Sequence, residues 1–264
     1  MKKLRSVVVL SGGQDSTTCL YWALNMGHDV IAVTFNYGQR HKREIECAKQ
    51  IALNAGVLHE VIDIGPNILK GSSPLVSDNK LEEYADFNSL PGGLEKTFVP
   101  MRNQLFLTIA ANRAYVHQAQ FLVTGVCEED YGGYPDCRQQ FIDKLQEACN
   151  LGTFTGEDGA LPALKIKTPL MRLTKAQTVE LAMSLPGCYA ALAYSHTSYA
   201  GEYPPSSNDH ASLLRAKGFA EAGIPDPLIL RAYNEGAIHK LPDSENYSAD
   251  KVAYYTGLLN KETE

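Results

Sequence analysis

Short apolar runs alternate with helical periodicity along the first half of the chain. Val7-Val8-Val9-Leu10 is a β-branched run broken by Ser11-Gly12-Gly13, and a helical pattern follows over about 16–26, closed by Gly27. Residues 30–35 read as a buried strand. A helix over 43–54 carries Ile45, Ala48, Ile51 and Ala52 on one face. Residues 59–64 make a third strand ended by Gly65-Pro66. A helix near 103–118 precedes a fourth strand at Phe121-Leu122-Val123-Thr124-Gly125. Beyond 185 the pattern loosens at Pro186-Gly187, Gly201, Pro204-Pro205 and Gly223-Ile224-Pro225-Asp226-Pro227.

This alternation predicts an α/β fold, a doubly wound and mostly parallel sheet with helices on both faces. Residues 1–185 form the α/β domain in this reading, and 186–264 a small irregular or helical C-terminal cap packed on it. Ligands of such sheets bind beyond the carboxyl ends of the strands. Attention therefore falls on 11–16, 36–41, 65–102 and 125–138, with the long 65–102 connection read as a lid.

Composition narrows the function classes. The 264 residues are 44% apolar and 20% charged, which excludes disordered and disulfide-scaffold classes. With 24 Lys and Arg against 30 Asp and Glu, the formal charge of −6 argues against broad tracking of a nucleic-acid backbone. No apolar run approaches the roughly 20 residues of a membrane helix. The start, MKKLRSVVVLSGG, falls short of the ~7–15 apolar residues of a secretory signal. A cytoplasmic protein without a membrane partner is expected. The six cysteines show no CxxC spacing and are expected as thiols.

Ser11-Gly12-Gly13-Gln14-Asp15-Ser16-Thr17 follows a strand and opens a helix. Glycines admit an anion close to the backbone, the helix start presents unpaired amides, and the hydroxyls of Ser11, Ser16 and Thr17 add donors. A Walker loop would need a lysine before the hydroxyl residue, and the dinucleotide fingerprint a third glycine. A tight turn with an acidic cap is the bland alternative. SGGxDS in this position resembles the pyrophosphatase-type ATP loop, which implies AMP activation rather than γ-phosphoryl transfer.

Five ordered runs, VVVLSGGQDSTTCL, VTFNYGQRHKREIECAKQIA, TFVPMRNQLFLTIAA, VTGVCEEDYGGYPDCRQQFI and KTPLMRLTKAQTVELA, together resemble the 7-cyano-7-deazaguanine synthase family. The resemblance implies an adenine nucleotide alpha hydrolase-like fold. It also implies an ATP-dependent C–N ligase that adenylates 7-carboxy-7-deazaguanine and uses ammonia to form the nitrile for queuosine and deazapurine biosynthesis. ATP binding then falls to Leu10, Ser11, Gly12, Gly13, Gln14, Asp15, Ser16 and Thr17, with Tyr37, Gln39, Arg40 and His41 for adenine and ribose. Asp15 is a carboxylate able to hold Mg²⁺, or else a first-turn acid complementing the helix dipole. Asp15, Ser16, Arg102 and Lys175 are the catalytic candidates. Arg102 and Asn103 can reach phosphate or the substrate carboxylate, and Lys175 phosphate. Asp130, Tyr134, Asp136 and Arg138 suit the deazapurine, whose ring calls for acids and an aromatic face. Polar turns or solvated helix starts are the competing reading of each. Cys127 and Cys137 read as packing residues.

The family usually closes with a zinc site of four cysteines. Here Cys188-Tyr189 is read as the first part, while Ser206, Asp209 and Ser212 occupy the later positions. Serine is a poor zinc ligand, so zinc is expected to be absent, although Cys188, Asp209 and His210 could form an improvised site. That departure motivates an alternative, a relative coupling the adenylated deazaguanine to another amine such as a protein N-terminus. A tRNA-thiolation enzyme and a nucleotide sensor are weaker readings. No glutaminase segment precedes the loop, so free ammonia is the expected nitrogen source. A homodimer is left open.

Overall fold

The computed structural model describes residues 3–261 except 40, 77–83, 87–88, 90–96, 129–132, 154–160, 199–200 and 206–207. Within the 65–102 connection, read above as a lid, residues 77–83, 87–88 and 90–96 therefore lie outside the described residues. Among the described residues, five strands form one parallel sheet: β1 (Arg5–Val9), β2 (Asp29–Asn36), β3 (Leu58–Asp63), β4 (Phe121–Val123) and β5 (Lys165–Lys167), in the order β3-β2-β1-β4-β5.

Helices α1 (Gln14–Asn25), α2 (Arg43–Asn54), α3 (Arg102–Val116), α4 (Gln139–Leu151) and α5 (Lys175–Ser184) connect and extend the strands. Successive side chains of β1 point to opposite faces. Val7 joins Leu107 and Ala110 of α3 and Ile142 of α4, whereas Val8 joins Leu20 of α1 and Ile51 of α2. Two buried layers thus clamp the sheet, as the predicted architecture requires.

The sequence pattern left β5 and α4 unassigned. Lys165-Ile166-Lys167 is too short to show a period, and α4 buries only Ile142 and Leu145 fully.

Beyond 185 the chain is more helical than its breakers suggest: α6 (Cys188–Leu192), α7 (His210–Ala222), α8 (Pro227–Asn234) and α9 (Ala249–Lys261). The punctuating residues are their caps. Gly187 and Gly223 are left-handed at helix ends, and the Asp226 side chain accepts from Leu228 N with Pro227 opening α8. Helix α7 lies against α5, and α6 against α1. Gly218 permits the first approach, since a Cβ there would stand 2.8 Å from the Lys175 Cβ. Among the described residues no helix is long and apolar enough to cross a membrane.

Candidate active site

Strand β1 is flanked by β2 on one side and β4 on the other, so the connections after β1 and β4 run apart and open a crevice at their carboxyl ends. Gly125, after β4, closes the gap to α1. A Cβ there would lie 3.1 Å from the Asp15 carbonyl carbon. Gly12 (φ +90°) packs on the Glu44 carbonyl, and no side chain fits between the loop and α2.

The loop is closed by its own hydroxyls. Ser16 Oγ accepts from Ser11 N at 3.1 Å, lies 3.0 Å from Ser11 Oγ and 3.1 Å from the Gly13 carbonyl. Thr17 Oγ1 donates back to the Gly13 carbonyl at 2.8 Å and is fully buried, so it stiffens the turn. Gly13 starts α1 without a side-chain cap. The first-turn amides are therefore left to an external acceptor. Lys175 Nζ donates to Asp15 Oδ2 at 2.7 Å. Asp15 Oδ1 and Gln14 Nε2 are buried and make no hydrogen bond among the described residues. A spare carboxylate oxygen beside an anion-ready helix start fits the Mg²⁺ that the family implies.

Two adjoining cavities, of about 340 and 330 Å³, share walls at Ser11, Asp15, Ser16, Glu44, Arg102 and Tyr134. One extends towards β2 and is lined by Leu10, Phe35, Tyr37, Gln39, His41 and Asn103. The other extends towards the C-terminal helices and is lined by Gly13, Gln14, Arg138, Lys175, His196 and Arg215. Most predicted site residues thus converge on one cleft. Arg40 and Asp130 lie outside the described residues. Asp136 does not line the two cavities itself, and its carboxylate accepts from Asn103 N at 3.4 Å. Burial raises its carboxyl above the usual range, against the pull of Asn103 and Arg102.

Arg102 opens α3 directly after Met101, whose left-handed backbone (φ 63°) is an outlier for a side chain of its size. Its guanidinium stands beside the Tyr37 phenol, which burial pushes upward. Tyr134 is held by a 2.9 Å hydrogen bond to Thr97 and tilts against Phe98. Cys127 donates to the Leu173 carbonyl at 3.2 Å.

Several cleft residues escaped the sequence reading. Glu44 is not singled out by the sequence, although it lies in the quoted YGQRHKRE run. Its carboxyl is raised to about 7 by burial, opposed by Arg102 and reinforced by Asp209. His196 is only 2% exposed, and burial lowers it to about 4, with Arg43 and Arg215 adding to the effect. Arg215 is buried too. It donates twice to Asp226, at 2.6 and 2.8 Å, and to Ser195 Oγ at 2.8 Å.

Cys188 packs in an apolar cluster with Val179, Ala182, Leu192 and Phe219, and it is Ser198 that meets Asp209, donating to Oδ2 at 3.1 Å. Asp209 Oδ1 also caps α7 by accepting from Ser212 N at 2.8 Å. These donors do not fit a tetrahedral thiolate site. Among the described residues no three His, Cys, Asp or Glu side chains are grouped to hold a metal, and Ser206 lies outside them.

Fold and site together define a doubly wound α/β protein whose uncapped first helix faces a polar cleft at the switch point of its sheet. Over residues 5–223 the chain matches the family described as queuosine biosynthesis protein QueC, and it belongs to that family. Similar relatives include the 7-cyano-7-deazaguanine synthases of Gloeobacter violaceus, 50% identical over 86% of this chain and 96% of that protein, and Chromobacterium violaceum, 48% identical over 88% and 95%. Likeness to solved structures is weaker. A predicted subunit of a tRNA methyltransferase from Methanocaldococcus jannaschii gives a TM-score of 0.44 at 19% identity, covering 68% of this chain and 74% of that one, too loose to argue from.

Proposed function

We propose that the chain makes 7-cyano-7-deazaguanine from 7-carboxy-7-deazaguanine, ammonia and ATP. The observation that carries this reading is the uncapped start of α1, with Lys175 and Asp15 at its side, opening onto a cleft large enough for two ligands. A carboxylate cannot expel oxide, so an oxygen of it attacks the α-phosphorus and pyrophosphate leaves. Ammonia then displaces AMP to give an amide. The amide oxygen attacks the α-phosphorus of a second ATP, pyrophosphate leaves, and loss of AMP with two N–H protons gives the nitrile.

Each step asks for fixed donors where charge develops, which the loop supplies without reorganisation. Ser11, Gly13, Ser16 and the α1 amides receive the departing pyrophosphate. Lys175 and Arg102 flank it, with Arg102 able to fork onto phosphate or carboxylate. Asp15 would hold Mg²⁺, which when bound neutralises phosphate charge. Tyr37, Gln39 and His41 line the adenosine half, and Tyr134 offers a face for the deazapurine. Nothing in the relatives' names points to a protein amine as acceptor. Mass spectrometry of products from the carboxylate, ATP, Mg²⁺ and ammonium tests the reading. A nitrile product supports it, and ATP left intact with all components present overturns it.

A further inference from the structure

We propose that Glu44 is the proton acceptor that converts ammonium into the attacking ammonia, a role that rests on the adenylation reading above. Glu44 sits at the seam of the cleft, in the walls of both cavities. Its place is fixed from two sides. It belongs to the first turn of α2, and its own carbonyl abuts Gly12 of the phosphate loop. A group so placed borders both cavities, where a nucleotide in one and a carboxylate in the other would meet.

Among the described residues three acids line the cleft. Asp15 is held by Lys175 at 2.7 Å. Glu128 accepts from Gln139 N at 2.7 Å, which ties it to the start of α4. Glu44 is the remaining acid. The groups that face it are Arg102 from α3, Asp209 before α7, Tyr37 after β2 and Cys47 on α2. Burial raises the carboxyl to about 7 despite Arg102, so it trades a proton near neutrality. His196, lowered to about 4, is far weaker as a base.

The step balances as follows. The Glu44 carboxylate takes one proton from ammonium, leaving ammonia and a neutral carboxyl. The nitrogen lone pair forms the C–N bond to the acyl carbon, and the C–O bond to AMP breaks with its electron pair on AMP. The surplus nitrogen proton passes to solvent, and Glu44 later releases its own.

The test compares wild type with Glu44→Gln and Glu44→Asp in two assays. Pyrophosphate–ATP exchange with 7-carboxy-7-deazaguanine and no ammonium reads adenylation. Ammonium-dependent amide and nitrile formation reads the later steps. Glu44→Gln is expected to lose about 10²-fold in ammonium-dependent kcat/KM at pH 7, with a far smaller change in exchange. The deficit should shrink at alkaline pH, where ammonia is already free, and Glu44→Asp should recover part of it. In wild type, kcat/KM expressed against ammonium should be level above about pH 7 and fall as pH drops below it while exchange does not, whereas uptake of free ammonia without Glu44 would make it rise about tenfold per pH unit throughout; this readout stands even if the glutamine variant fails to fold. Equal losses in both assays, or wild-type ammonium dependence in Glu44→Gln at every pH, would overturn the assignment. Absence of exchange in wild type would instead remove the adenylation reading, and this proposal with it.

Discussion

Lys175 Nζ lies 2.7 Å from Asp15 Oδ2, a pair made by residues 160 positions apart. It ties the first turn of α5 to the first turn of α1. Both side chains are mostly shielded, at 16% and 26% exposed. The pair sets a cation and a carboxylate beside the Ser11–Thr17 loop. Lys175→Met should lower pyrophosphate exchange by about 10²–10³-fold, as for loss of one donor to a developing anion. Asp15→Asn or Ser16→Ala should nearly abolish AMP formation while far-UV circular dichroism stays native. Wild-type exchange rates in these variants would remove the loop from the chemistry.

Arg215 and Asp226 form a pair exposed to only 5% and 6%, joined by two hydrogen bonds. Removing one partner strands the other charge in the interior. Asp226→Ala should destabilise by about 3–5 kcal/mol, read as the urea midpoint, and it also removes the α8 cap. A shift under 1 kcal/mol would show that water reaches Arg215 readily.

Met101 holds φ 63° while 65% exposed, so its side chain contributes little that offsets the strain. Met101→Gly should leave stability unchanged or raise it by up to roughly 1 kcal/mol, and Met101→Val should lower it. Thermal midpoints check this: a fall in Met101→Gly, or no fall in Met101→Val, would contradict it.

His196 is held neutral. Its value falls from the ordinary 6.5 to about 4, chiefly through burial. Above pH 6.5 both folded and unfolded forms are neutral, and the native state loses nothing. As pH falls from 6.5 towards 4 only the unfolded chain gains the proton, so stability declines by up to about 3 kcal/mol. Denaturant midpoints at pH 7.5 and 5 should separate accordingly, and His196→Leu should flatten the slope. An unchanged slope would assign the acid sensitivity elsewhere.

Asp209 is occupied as the cap of α7 and by Ser198, and Cys188 is packed among apolar side chains. Purified protein should carry far less than one zinc per chain by elemental analysis, and a chelator should leave its thermal midpoint in place. Stoichiometric, chelator-sensitive zinc would mean that other donors are recruited.

The sequence by itself determined the strand–loop–helix units, because each is written in neighbouring residues. Val7 to Leu10 need burial on both faces, Gly12 must adopt a positive φ, and Ile45, Ala48, Ile51 and Ala52 mark the buried stripe of α2. The five ordered motifs also named the family, which residues 5–223 bear out. What these patterns cannot carry is direction and distance between elements. Asp136 reads as an acid for a base, yet it turns towards the start of α3, since helix-start amides attract a nearby carboxylate. Glu44 is passed over in the sequence. It becomes a cleft residue because Gly12 lets the phosphate loop press on α2. Lys175, Arg215 and His196 reach the cleft only once α5, α7 and the chain after α6 fold over it. Charges far apart in sequence acquire a common field only when tertiary packing removes the water between them, and that step is decided by the whole fold.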